Sequence, residues 1–240
     1  PIYWRSGYPK CETLVFRLGT TGEETKSEFR AGRLSLASEL FPADVEAFRH
    51  DPEFASGFRE APRLSIYFAV FNTINGPLAD PELRRSLVDG IDIPAIVRRT
   101  LGRVAIPAHG IISPGLIGYT PVPPRPPHAA SHGERGEIEL RTAVHPLFFG
   151  QSAGLARALS TVFAARGVKL KVVNSGISDF LEMQLRAQCD VCVGRWIGDY
   201  ADADTFVYSM LHSKEGSIGR FFSHDARKSS ARPYDRAAST

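Results

Sequence analysis

Residues 64–71, Leu-Ser-Ile-Tyr-Phe-Ala-Val-Phe, form a nearly unbroken apolar run. A strand with one face in water alternates apolar and polar side chains, so a run this continuous demands cover on both faces and predicts a central strand. Val191, Cys192 and Val193 open a second such run, over 191–195. Strands buried on both sides need layers above and below their sheet, which directs the chain towards an α/β architecture.

The last third carries the alternation that such an architecture requires. Residues 138–144, 168–173 and 191–195 read as strands; 151–166 reads as a helix stopped by Gly167, and 178–187 as a helix capped by Ser178. Crossover connections of this length imply a mainly parallel or mixed sheet flanked by helices. Earlier in the chain, strands are expected at 13–18, where Leu14, Phe16 and Leu18 alternate, and at 34–38. Helices are expected at 23–31, at 42–49 behind Pro42, at 80–89 behind Asp80-Pro81, and from Asp92 and Pro94 to 101. Residues 102–136 are rich in proline and glycine, with five prolines in 121–127, so an extended surface connection is expected there. After Phe222 the sequence is polar and without period, a tail over 223–240.

Composition removes several function classes. A 240-residue chain with 43% hydrophobic residues can bury a substantial core, and no run approaches the roughly 18 apolar residues of a membrane helix. Its 29 basic and 26 acidic residues are interspersed, so nothing marks a nucleic-acid surface. Cys189 and Cys192 form a C-x-x-C, but side chains three apart on a strand point to opposite faces, so no metal or other cofactor is expected. No G-x-S-x-G, H-E-x-x-H, phosphate-loop or dinucleotide string occurs, so an enzyme is not expected. His128 and His132 have helical metal-pair spacing but lie beside Pro126-Pro127 and Gly133, and His109 lies in the same Pro/Gly-rich stretch. His145 precedes Pro146 at a strand end, where it can line a cleft.

Ligands of parallel sheets collect at the carboxyl ends of the strands. The stretch from Trp196 to Phe206 follows directly on such an end. There Trp196 supplies an apolar wall, Asp199 a carboxylate for an ammonium or other donor, and Tyr200 a phenol. The plain structural alternative makes Trp196 a core aromatic and Asp199 the cap of a helix over 203–211. The candidate ligand-binding residues are Trp196, Asp199, Tyr200 and His145.

Trp196-Ile197-Gly198-Asp199-Tyr200 followed by Asp202 and Thr205-Phe206 resembles the W-x-x-D-Y signature of the family 5 solute-binding proteins of ABC transporters, the peptide- and nickel-type group. Three further blocks, in the same order, carry the resemblance. They are Pro1-Ile2-Tyr3-Trp4 with Gly7-Tyr8-Pro9 and Leu14-Val15-Phe16-Arg17; Phe71-Asn72-Thr73 with Pro77 to Pro81 and Leu83 to Leu87; and Leu101-Gly102 with Pro107 to Gly110 and Pro114-Gly115. The resemblance implies one lobe of a periplasmic-binding-protein type II fold. Residues 1–222 would be the carboxyl-terminal lobe, with 1–70 partly a hinge or inter-lobe segment and an amino-terminal lobe missing. It further implies a peptide or other small solute as ligand, ABC permease subunits as partners, and a periplasmic or extracellular, membrane-anchored location. The alternative is a cytoplasmic solute-sensing domain of a transcriptional regulator. In peptide-binding members the aspartate takes the ligand's α-ammonium and the tryptophan packs beside it, roles that fall here to Asp199 and Trp196. Some members place a carboxylate-pairing arginine three residues before the tryptophan; Val193 stands there, and Arg195 lies on the other strand face.

Overall fold

The computed structural model describes residues 3–108, 110–121 and 137–222. In chain order these form α1 (Gly22–Arg30), α2 (Pro42–His50), β1 (Ser65–Phe71), α3 (Pro81–Val88), α4 (Ile93–Leu101), β2 (Ile138–Val144), α5 (Ala153–Ala164), β3 (Val168–Val172), α6 (Ile177–Arg186), β4 (Val191–Ile197) and α7 (Asp204–Leu211). The readings of His109, His128 and His132, of the prolines at 123–127 and of the 223–240 tail fall outside the described residues.

The four strands make one mixed sheet in the order β1-β4-β2-β3. Helix α5 links the parallel pair β2 and β3, while α6 carries the chain across β2 so that β4 lies parallel to it. Strand β1 runs antiparallel to β4, with Ile66 opposite Trp196 and Phe68 opposite Gly194.

Strand period two sorts the core into two layers. Val191, Val193, Leu140, Val144 and Val168 face one cluster, completed by Phe148, Phe163, Leu83 and Leu87. Cys192, Ala143 and Val70 face the other, with Phe180, Phe206, Met210 and Phe221. Five of these phenylalanines are fully buried, each contributing about 1.5–3 kcal/mol of hydrophobic transfer.

Cap chemistry sets the helix starts. Thr21 and Glu24 form a reciprocal capping box on α1. The carboxylates of Asp80 and Asp92 accept from the backbone N–H groups of Glu82 and Ala95 and so open α3 and α4. Helix α6 departs from expectation: Gly176 is its N-cap, and Ser178 lies inside the helix. The carboxylate of Asp179 turns back to accept from the Ser175 N–H at 2.8 Å, which orders that entry instead.

Three strand expectations are corrected. The 64–71 run does form β1, but at the sheet edge and not at its centre. Tyr67 and Phe71 pack on one cluster and Ile66, Phe68 and Val70 on the other, so helices and loops cover both faces without a strand on each side. Residues 13–18 and 34–38 form no strand. Alternation defines a face but supplies no pairing partner, and Leu14, Val15, Phe16 and Leu18 remain 69%, 76%, 75% and 88% exposed.

Helices α1 and α2 form a small unit ahead of the sheet. Phe29, Phe48 and Phe54 pack there with ring centroids 5.1–5.5 Å apart, and the Arg30 guanidinium lies over the Phe48 ring. Polar contacts tie this unit to the sheet body, from Arg103 to Glu46 and Glu60 and from Glu39 to Gln151 and Arg195.

Candidate functional site

Strand β4 extends two residues beyond the expected end, because Trp196 and Ile197 continue the ladder with Ile66 and Ser65. Trp196 therefore stands in the strand and not in the following loop. Its ring is half-buried and packs against the cluster of Phe180 and Phe206, while its indole N–H is enclosed with no hydrogen-bond partner among the described residues.

The chain then turns through Gly198, whose N–H donates to the Leu64 carbonyl at 2.7 Å. The Asp199 N–H donates to the hydroxyl of Thr205 at 3.2 Å. Thr205 and Phe206 are both fully buried, so the first turn of α7 anchors the loop that carries Asp199. The N-cap of that helix is Ala203, without a side-chain cap, and the Asp202 carboxylate just ahead of it accepts from the Asp204 N–H at 2.9 Å. Asp199 is thus free of the capping role. Its carboxylate is exposed and makes no hydrogen bond or ion pair among the described residues. Tyr200 is 51% exposed, and its hydroxyl donates to Asp204 at 2.8 Å, which raises the pKa of the phenol.

His145 lies at the carboxyl end of β2, beside β4: its N–H donates to the Val193 carbonyl at 2.9 Å. Asn174 holds that end, its amide oxygen accepting from the Val144 N–H and its nitrogen donating to the Val144 carbonyl. The Leu147 N–H donates to His145 Nδ1 at 3.2 Å, so the neutral ring carries its proton on Nε2. Burial and the nearby charge of Arg195 push its pKa below the ordinary histidine value.

Arg195 points to the face opposite Trp196, as strand alternation requires. Its guanidinium donates to Glu39 Oε2 at 3.3 Å, the Gln151 amide donates to the same oxygen at 2.7 Å, and Arg63 pairs with Oε1. Burial pushes the Glu39 carboxyl up, but the Arg63 hydrogen bond, the Arg195 charge and the Gln151 hydrogen bond outweigh it and hold the pKa below its usual value. Motif reading did not reach this cluster, because its members lie 24 to 156 residues apart in sequence.

The thiols of Cys189 and Cys192 both enter the cluster of Phe180 and Phe206. Cys189 precedes the start of β4, so strand alternation does not separate the pair as expected. Burial raises both pKa values, Cys189 to about 11, and keeps the thiols neutral. Among the described residues no group of three or more His, Cys, Asp or Glu side chains is placed to hold a metal ion.

The mixed sheet covered on both faces, with Trp196 and Asp199 at the carboxyl end of its inner strand β4, has the fold of a periplasmic-binding-protein lobe. The model of the bacterial extracellular solute-binding proteins, family 5 Middle, matches residues 1–217, and the chain belongs to this family. It is 25% identical over 221 residues to di/tripeptide-binding protein 2 of Pseudomonas aeruginosa, covering 88% of this chain and 41% of that protein. It is 26% identical over 235 residues to the periplasmic murein peptide-binding protein MppA of Escherichia coli, covering 91% and 43%. The solved structure of Escherichia coli MppA shares the fold with a TM-score of 0.68 at 21% identity over 84% of this chain and 42% of that one. A periplasmic oligopeptide-binding protein of Borrelia burgdorferi shares it with a TM-score of 0.71 at 15% identity, over 88% and 43%. The chain thus spans less than half the length of these relatives.

Proposed function

We propose that this chain is the carboxyl-terminal lobe of a two-lobe receptor that captures a peptide or similar amine-bearing solute and passes it to an ABC permease. The observation that carries the reading is the exposed Asp199 carboxylate, without a hydrogen bond or ion pair of its own among the described residues, on a loop anchored by Thr205 beside Trp196. A carboxylate free of capping duty is suited to a ligand ammonium in a charge-assisted bond. Peptide-binding names among the relatives support the same ligand class, and the periplasmic names support transport over cytoplasmic sensing.

In this reading the cleft has a second wall, contributed by an amino-terminal lobe, and residues 1–70 partly form the connection between the lobes. The exposed side chains of Leu14, Phe16 and Leu18 are the apolar surface such a lobe would cover. Titration calorimetry with Ala-Ala-Ala, on the intact protein and on the 240-residue chain, tests the proposal. Saturable binding by the intact protein, weakened at least a hundredfold in the isolated chain, is expected. Equal affinities would place the whole site in this lobe, and no binding to either would remove the peptide assignment.

A further inference from the structure

Arg99 on α4 and Arg166 just past the end of α5 line one cleft between these helices, a cavity of about 220 Å³. Among the described residues neither guanidinium has an ion pair, and Arg99 makes no hydrogen bond. Arg166 donates to the carbonyls of Val162 and Asp89, both at 2.9 Å. Those bonds fix the plane of its fork and use two of its five N–H donors, so the rest can meet an acceptor from outside the chain. Asp92 also lines the cleft, but its carboxylate caps α4 by accepting from the Ala95 N–H at 2.9 Å. Two guanidinium charges against one carboxylate leave the lining net positive, and Ile91, Ile96 and Val162 supply apolar walls.

The cleft lies at the end of the sheet away from Trp196. The carbonyl of Gly167, next to Arg166, accepts from the Ile138 N–H, which sets Arg166 beside the amino ends of β2 and β3. Strand β4 runs parallel to β2, so Trp196 and Asp199 stand at the opposite, carboxyl end.

We propose that this cleft is a second binding site, for a small aliphatic acid whose carboxylate bridges Arg99 and Arg166 and whose chain lies against Ile91, Ile96 and Val162. Two forks of donors match the two oxygens of a carboxylate, and the apolar walls take a hydrocarbon chain out of water. The volume is below the roughly 300–1,000 Å³ of sites for drug-sized ligands, which limits the occupant to a short chain. The site stands independently of the solute-receptor reading, since it uses none of the same residues.

Hexanoate is the probe, titrated calorimetrically into the intact protein beside hexanamide and inorganic phosphate. Saturable hexanoate binding is expected, about tenfold or more tighter than that of either comparison. Arg99→Gln and Ala95→Glu should each weaken it about tenfold or more. Ala95 is the third residue of α4, one turn before Arg99, so a glutamate there suits the helix start and brings an internal carboxylate to the guanidinium. Both variants should keep the thermal midpoint of the unaltered protein, which excludes misfolding as the cause of the loss. Arg166 stays unaltered, because its bonds hold the end of α5. Absence of saturable hexanoate binding, equal binding of hexanamide or phosphate, or binding undiminished in Ala95→Glu would overturn the proposal.

Discussion

The ring of Phe68 lies against the bare Cα of Gly194, its direct partner across the β1–β4 ladder. A Cβ on Gly194 would come within 2.7 Å of the ring's outer carbon and 3.2–3.3 Å of two more. This close approach lets an aromatic ring lie over the strand next to Trp196. Gly194→Ala is therefore expected to displace Phe68 and lower stability by about 1–3 kcal/mol, measured by urea unfolding. Pairing it with Phe68→Leu should recover part of that loss, because the smaller side chain vacates the space.

Asn72 is 5% exposed and uses its whole amide. Its Nδ2 donates to the carbonyls of Ala187 and Cys189 at 3.1 and 3.3 Å, and its Oδ1 accepts from the N–H groups of Ile74 and Asn75. Asn72→Ala should cost about 2–4 kcal/mol in chemical denaturation, since it leaves several backbone groups unsatisfied at a core junction.

Ala187 closes α6 at φ 49, in the left-handed region. Glycine adopts that conformation without a Cβ clash, and it is the usual residue at such a helix end. Ala187→Gly is expected to raise stability by about 0.5–1 kcal/mol, visible as an increased thermal midpoint.

Asp199→Asn separates binding from folding. In the intact protein it should weaken an amine-bearing ligand by about 2–4 kcal/mol, because the ligand's charge is left without its counter-ion. Stability should move by less than about 0.5 kcal/mol, since α7 has Ala203 and not Asp199 at its N-cap and the exposed Asp199 carboxylate makes no hydrogen bond among the described residues. Calorimetry and thermal melting on the same sample measure both quantities. Unchanged affinity alongside its loss in Trp196→Ala would indicate an uncharged ligand.

The His145 ring gives a pH dependence of definite sign. Its folded pKa lies below the ordinary value of about 6.5, so the unfolded chain binds more protons as pH falls through that value. Its contribution is neutral to stability above pH 7 and becomes destabilising below about pH 6.5. Comparing urea midpoints at pH 7.5 and 5.5 in the native chain and in His145→Gln isolates the effect, and the variant should lose less stability on acidification.

The sequence made the elements of the last third legible because their signals are local: apolar–polar alternation for β2 and β3, the apolar run opening β4, Gly167 after α5, and strand–helix alternation for the sheet. The place of β1 was not legible, since the apolar run Ile66 to Phe71 records cover on its faces and carries no record of which edge lacks a neighbour. Trp196 and Asp199 could be placed at a strand end from their motif. The choice between ligand acceptor and helix cap for Asp199 depended on where α7 begins, and it begins at Asp204 behind Ala203, beyond the reach of Asp199 as a cap. The grouping of Glu39 and Gln151 with Arg195 is invisible to motif reading, because only the folded path of the chain makes them neighbours.

The two-residue repeat of β4 restricts how a site of this kind can diversify. Removing one residue within the strand ahead of Arg195 would exchange the faces of everything after it, sending the indole towards Glu39 and the guanidinium into the apolar layer around Phe206. Length changes are thus excluded before Ile197 and tolerated only in the loop beyond it. Variation along this strand must arise by replacement in place, one face at a time, so that the Arg195–Glu39 contact and the Trp196 ring can be altered independently of each other.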